Sequence, residues 1–208
     1  MTPPRTRIKF CGMTRAEDVR LAVDLGVDLI GLVFAARSPR RLAIAQAQAL
    51  RVLVPPGIGV VALVMDTPRK DVEGVVAALR PDYLQFHGSE EAVECASFGL
   101  PYFKAIAMGD GGDPLPAMAA FPAAHGFVLD GHGAGEQGGS GRSFDWHRLP
   151  QATSKPILLA GGLRAANVAA AIRTARPWGV DVSSGIESAP GIKDAGQMRS
   201  FIAEVRAQ

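Results

Sequence analysis

Cys11 and Asp130 are the two side chains whose type and position best suit moving protons. Cys11 stands in Lys9-Phe10-Cys11-Gly12-Met13-Thr14, where a short apolar run gives way to a turn. A thiolate there serves as a base, a nucleophile or a metal ligand. A free cysteine in such a run is also a common small buried residue. Asp130 closes the apolar run Gly126-Phe127-Val128-Leu129. As an acid it needs burial that raises its pKa; otherwise an aspartate there braces the following turn. His87, in Gln85-Phe86-His87-Gly88, suits either orienting a substrate or satisfying a neighbour.

Other groups suit anions. Arg37, Ser38, Arg40 and Arg41 follow a second apolar run. A guanidinium holds a planar carboxylate in a bidentate fork, which makes Arg40 the candidate clamp and Arg41 its alternative. Gly161-Gly162 closes the run Leu158-Leu159-Ala160, and Ser183-Ser184-Gly185 closes Val180-Asp181-Val182. Glycine lets the backbone approach an anion, and the free amides of such turns point at it. A phosphate ligand is therefore expected. Metal binding is not: His87, His125, His132 and His147 are scattered, and neither His-x-His nor a paired carboxylate-histidine spacing recurs. His132 and His147 are expected to be solvated. Lys9 is expected to face away from Cys11 by strand alternation, and so not to activate it.

Positioning these residues requires a parallel sheet. Strands begin near Ile8, Leu29, Gly59, Tyr83, Tyr102, Phe127, Ile157 and Gly179. Leu29-Ile30-Gly31-Leu32-Val33-Phe34 and Gly59 to Met65 are nearly continuous apolar runs, as strands buried on both faces read. Helical patterns lie between. Thr14 with Glu17 predicts a capping box and a helix to Leu25, ended by Gly26. Thr67-Pro68 predicts a helix with proline at its first position. Asn167–Arg173 and Asp194–Val205 are further helices, and Ala105–Phe121 is the weakest pattern. Eight strands alternating with helices predict an α/β fold, a single (β/α)8 TIM barrel over residues 1–208. An open doubly wound sheet is the alternative; against it, no Gly-x-Gly-x-x-Gly follows the first strand. In the barrel, residues just after each strand share one rim. Cys11, Arg40, Asp66, His87, Asp130, Gly161-Gly162 and Ser183-Ser184-Gly185 then gather there. The glycine-rich stretch Gly131–Gly141 is read as an active-site loop.

Composition narrows the class. The 208 residues are 48% hydrophobic, enough for a core. A net charge of +2 with 20% charged residues argues against nucleic acid or an anionic membrane as partner. Two cysteines, Cys11 and Cys95, make no disulfide framework and fit a reducing compartment. No signal peptide is read in Met1–Arg7 and no run approaches a membrane span. A soluble cytoplasmic protein, monomer or homodimer, is expected.

Several runs resemble those of the phosphoribosylanthranilate isomerase family. They are Lys9 to Thr14, Gln85-Phe86-His87-Gly88, Leu129-Asp130, Gly138-Gly139-Ser140-Gly141 with Phe144-Asp145-Trp146, Ala160-Gly161-Gly162-Leu163, Asp181 to Glu187, and Pro190 to Asp194. The resemblance implies a TIM barrel that turns N-(5-phosphoribosyl)anthranilate into the ribulose phosphate product by an Amadori rearrangement. It implies neither cofactor nor metal. Cys11 would be the general base, Asp130 the general acid and Arg40 the holder of the anthranilate carboxylate. His87, Gly161, Gly162, Asp181, Ser183, Ser184 and Gly185 would contact the substrate. Burial is expected to keep Asp130 protonated, and positive surroundings to favour the Cys11 thiolate.

Two other classes compete. An epimerase of a phosphosugar would want paired acids and a metal; an indole-glycerol-phosphate synthase would want lysines near strand ends, where only Lys104 is read inside a strand. A phosphate-binding barrel without catalysis would leave Cys11 and Asp130 without a role.

Overall fold

The computed structural model of the protein describes residues 5–133, 143–150 and 153–208. Eight parallel strands close a barrel in chain order, with the last pairing the first. They are β1 (Arg7–Cys11), β2 (Leu29–Val33), β3 (Gly59–Val64), β4 (Tyr83–Phe86), β5 (Tyr102–Ala107), β6 (Gly126–Asp130), β7 (Ile157–Leu159) and β8 (Gly179–Val182). The helices are α1 (Ala16–Asp24), α2 (Ile44–Arg51), α3 (Arg69–Leu79), α4 (Ala92–Ala96), α5 (Pro114–Ala119), α6 (Ala165–Ala175) and α7 (Ala195–Arg206). Between β6 and β7 the described residues hold only a short 3-10 turn, Trp146–Arg148. The loop expected over Gly131–Gly141, with its run Gly138-Gly139-Ser140-Gly141, lies outside the described residues from position 134 onward.

The strands are mostly apolar because each side of the sheet is covered, with Lys9, Gln85, Lys104, Asp130 and Asp181 as buried polar exceptions. One set of alternate residues, such as Ile8, Phe10, Ile30, Val60, Phe127 and Leu159, lies in the large cluster beneath the helices. The other set points inward, where Leu29, Val61, Phe103, Ala105, Val128, Leu158 and Ala160 fill the barrel floor. Cys11, Val33, Ala35 and Leu63 lie in a separate small cluster that lines the cavity described below. Helix α7 shows how the outer layer is held. Asp194 accepts from the Gln197 N–H at 2.8 Å and starts the helix. Met198, Phe201, Ile202 and Val205 then recur on one buried face. Phe201 meets Phe10 of β1 edge-on, with ring centroids 6.1 Å apart.

Local differences from expectation have identifiable causes. Helix α1 starts at Ala16 after an extended Arg15, so the Thr14–Glu17 box does not form. Thr14 Oγ1 donates instead to the Gly191 carbonyl, tying the first rim loop to a hairpin after β8. Pro68 is the residue before α3 rather than its first. The Ala105–Phe121 pattern splits because β5 takes its first residues and α5 its last. The hairpin, β9 (Glu187–Ala189) and β10 (Ile192–Lys193), is absent from the sequence reading and turns through Pro190-Gly191. No helix among the described residues is long and apolar enough to cross a membrane.

Candidate active site

The carboxy-terminal ends of the strands surround a cavity with about 690 Å³ of empty space, open to solvent. Cys11, Arg40, His87, Asp130, Gly161, Gly162, Asp181, Ser183, Ser184 and Gly185 all line it. Arg37 and Arg41 are exposed on the same segment, whereas Arg40 is buried, so the cavity has one arginine from that run. Asp66 is turned to the neighbouring loop, where it accepts from the Ser89 N–H at 2.7 Å.

Cys11 ends β1 with its thiol inside the barrel, 6% exposed. It has room because its β2 neighbour is Gly31; a Cβ there would lie 2.7 Å from Sγ. Gly31→Ala should therefore cost about 1–3 kcal/mol by overpacking. The melting temperature should fall by roughly 2–4 °C per kcal/mol, which calorimetry would measure.

Lys9 does not face away from Cys11. The two are two residues apart, and a period of two points both inward. The Lys9 side chain is fully buried, and Nζ donates to Asp181 Oδ2 at 2.6 Å. Burial works against its charge, but Asp181 and Cys11 outweigh it and hold Lys9 above its ordinary value. Lys193, at the end of the hairpin, is the second cation. Its Nζ donates to the Cys11 carbonyl at 2.7 Å and to Glu187 Oε1 at 2.8 Å. The reading that placed only Lys104 inside a strand is thus corrected: Lys9 lies in β1 and Lys193 in β10. Lys104 sits on the outer face of β5, bound to Glu90 at 3.1 Å, and does not line the cavity.

Arg40 already grips a carboxylate of its own chain. Its Nε and Nη2 donate to the two oxygens of Glu187, each at 2.7 Å. This fork fixes the guanidinium at the cavity wall and leaves its other N–H donors for a ligand.

Asp130, His87 and His132 form a compact buried group. His87 Nε2 lies 3.7 Å and His132 Nδ1 3.5 Å from Asp130 Oδ2. The two rings stack with centroids 4.7 Å apart. His132 is 3% exposed, so it is not solvated as expected, and the expectation of scattered histidines fails for this pair. His147 is exposed. The Gln85 Nε2 amide stands 3.2 Å from His87 Nδ1 and orients the ring.

The expected protonation states are reversed. Burial pushes the Cys11 thiol up, and although Lys9 and Lys193 oppose it, it stays above its ordinary value. Burial pushes Asp130 up too, but the contact with His132 and the charges of both histidines pull it below the usual carboxylate range. Burial drives His87 itself down to about 4, so above that pH its share of the pull is gone.

The far wall is backbone. Gly161 and Gly162 have φ of +87° and +63°, a conformation that favours glycine. After Ser183 the chain forms a 3-10 turn, Ser184–Ile186, in which the Ile186 N–H closes on the Ser183 carbonyl at 3.4 Å and the Ser184 and Gly185 amides are the ones placed for an anion.

Of the side chains around the cavity, Lys9, Gln85, Glu187 and Lys193 fall inside the resembling runs but had no assigned place at the site, and His132 was legible only as a residue two positions from Asp130.

Fold and rim together define a class: a (β/α)8 barrel enzyme equipped for acid–base work on a small anion. Comparison with known proteins sharpens this. The family model for N-(5'phosphoribosyl)anthranilate (PRA) isomerase matches residues 8–204. The N-(5'-phosphoribosyl)anthranilate isomerase of Xanthomonas campestris pv. campestris is 52% identical over 208 residues, covering 97% of this chain and 94% of that one. The phosphoribosyl anthranilate isomerase of Thermus thermophilus superposes with a TM-score of 0.86 at 32% identity, covering 97% of this chain and 99% of that one. A phosphoribosyl anthranilate isomerase solved with reduced 1-(o-carboxyphenylamino)-1-deoxyribulose 5-phosphate gives a TM-score of 0.80 at 27% identity, covering 98% and 100%. The chain belongs to the N-(5'-phosphoribosyl)anthranilate isomerase family, enzymes of tryptophan biosynthesis.

Proposed function

We propose that Cys11, Asp130 and Arg40 divide between them the family's reaction, the rearrangement of N-(5'-phosphoribosyl)anthranilate to 1-(2-carboxyphenylamino)-1-deoxyribulose 5-phosphate. The observation that carries this assignment is that a buried thiol and a buried carboxyl face one cavity, with an arginine and two glycine loops on its walls. Asp130 donates a proton to the ribose ring oxygen. The ring opens to a protonated Schiff base, whose positive charge acidifies the C2′ hydrogen. Cys11 removes that hydrogen, and the enolamine tautomerises to the ketone. Arg40 holds the anthranilate carboxylate beside its fork on Glu187. Gly161, Gly162, Ser183, Ser184 and Gly185 bind the phosphate. His87 and Asp181 border the sugar.

The starting protonation states give the order of steps. A substrate lying over Asp130 strips its remaining water and pushes its pKa up. Ring opening then places a cation beside Cys11, and that cation favours the thiolate. The acid step thus produces the conditions for the base step. Lys9 acts in the same sense from below. Lys9→Met should shift the pH profile of Cys11 alkylation by iodoacetamide upward, from a midpoint already above the ordinary thiol value. Cys95 does not interfere, since burial pushes its thiol to about 12. The same variant leaves Asp181 buried without its cation. Breaking such a pair costs about 3–5 kcal/mol, readable by denaturant titration.

The enzyme acts in the cytoplasm as a monomer or homodimer on a small phosphorylated substrate. The direct test is the loss of anthranilate fluorescence when protein is added to the substrate. Intact protein that binds phosphate but leaves the fluorescence unchanged would favour a non-catalytic barrel.

A further inference from the structure

We propose that His87, Asp130 and His132 form a site for one divalent transition-metal cation of borderline softness, Zn²⁺ foremost, and that its occupation stops the reaction. The three ligand atoms lie within 4.8 Å of one another and all three residues are buried. Zinc bonds of about 2.0–2.1 Å in a tetrahedron set ligand atoms about 3.4 Å apart. Both carboxylate-to-nitrogen separations, 3.7 and 3.5 Å, are already close to that edge. The remaining edge joins the two ring nitrogens and is within 4.8 Å.

Two further observations point to a ligand at this place. His87 Nε2 is buried with no hydrogen-bond partner among the described residues, and His132 Nδ1, also buried, has only its 3.5 Å approach to Asp130, which does not meet hydrogen-bond geometry. An orphaned buried ring nitrogen costs free energy that a metal bond would recover. Gln85 Oε1 is also without a partner, while the Gln85 amide faces His87 Nδ1 at 3.2 Å. Turned over, that amide accepts from Nδ1–H and fixes the tautomer with a free Nε2 lone pair. This is the outer support that metal-bound histidines usually have. His87 and Asp130 line the cavity, so a fourth position opens toward it for water or a substrate oxygen.

The inhibitory consequence rests on Asp130 being the general acid. A carboxylate bound to zinc holds no proton to donate, and the bound cation disfavours its taking one up. No oxidation state changes: bonds form from zinc to the two ring nitrogens and the Asp130 carboxylate and replace bonds to the ion's own waters, which leave.

The test uses the whole protein, free of affinity tag and treated with chelator, titrated with zinc chloride by calorimetry and by fluorescence assay. One zinc should bind per chain, with inhibition following the same dissociation constant and reversed by EDTA. His132→Ala should weaken both binding and inhibition by more than about a hundredfold, each measured against the variant's own zinc-free rate. Gln85→Leu, which keeps all three ligands, should weaken binding roughly 10- to 100-fold and guards against a folding defect in the first variant. Absent binding, or affinity unchanged in both variants, overturns the site. Affinity lost only on Cys11→Ser overturns it in favour of the thiol. Zinc bound at the site without inhibition overturns the inhibitory claim. An Asp130→Asn variant measured alongside then shows whether the acid assignment stands on its own.

Discussion

Cys11→Ala should lower kcat by roughly a hundred- to ten-thousand-fold, the range a positioned acid–base group contributes. KM should stay near its original value, because the thiol holds no part of the substrate in this scheme. The substitution is mild structurally. A hydrogen replaces the thiol on a side chain that already borders the open cavity, so calorimetry should show the melting temperature nearly unchanged. Cys11→Ser separates chemistry from packing. It keeps a hydroxyl of similar size but one far less acidic than a thiol, so it should be nearly as slow as alanine. Turnover of either variant within tenfold of the parent would remove Cys11 from the base role. The surrounding cations make a specific demand as well. Lys9 and Lys193 favour the thiolate but do not overcome burial, so the free thiol stays protonated above the usual thiol range. Iodoacetamide should thus react slowly near neutrality, and substrate analogues that fill the cavity should protect Cys11.

The strands were legible because most of their runs are short, apolar on both faces and bounded by turn residues, as strands of a covered parallel sheet are. Strand starts agree with expectation to within a residue: Gly59, Tyr83, Tyr102, Ile157 and Gly179 coincide, and β1 begins one residue before Ile8. The helix ends were less legible. Thr14 has the type and spacing of a cap, yet a longer-range acceptor at Gly191 takes its hydroxyl. A sequence shows a local cap candidate but not the distant carbonyl that competes for it. The rim was readable because each candidate ends a strand. What lay hidden were the partners of those candidates. Lys9 was assigned to the wrong face, although the spacing of two residues already places it beside Cys11. Glu187 meets Arg40 across 147 positions, and nothing local announces that fork. His132 follows Asp130 by two residues but lies beyond the strand, where alternation no longer says which way a side chain turns.

Asp130→Asn should be the companion loss, again roughly a hundred- to ten-thousand-fold in kcat. The amide matches the carboxyl in size and can still meet His132, but it has no acidic proton for the ring oxygen. Binding of the reduced product analogue should survive, because that ligand needs no proton transfer. The double variant, Cys11→Ala with Asp130→Asn, tests the order of events. An acid speeds ring opening without changing its equilibrium, and the base acts only on the opened Schiff base. Successive steps combine as the slower of the two, so the double variant should be about as slow as the worse single one. Strong non-additivity of this kind is what groups acting in one reaction sequence show. A loss equal to the product of the two single effects would mean that both groups act in the same transition state. The sequence in which Asp130 creates the cation that activates Cys11 would then have to be abandoned. Single-turnover measurements would locate the block: before loss of substrate fluorescence for both variants, but with opened Schiff base accumulating only when Asp130 is intact.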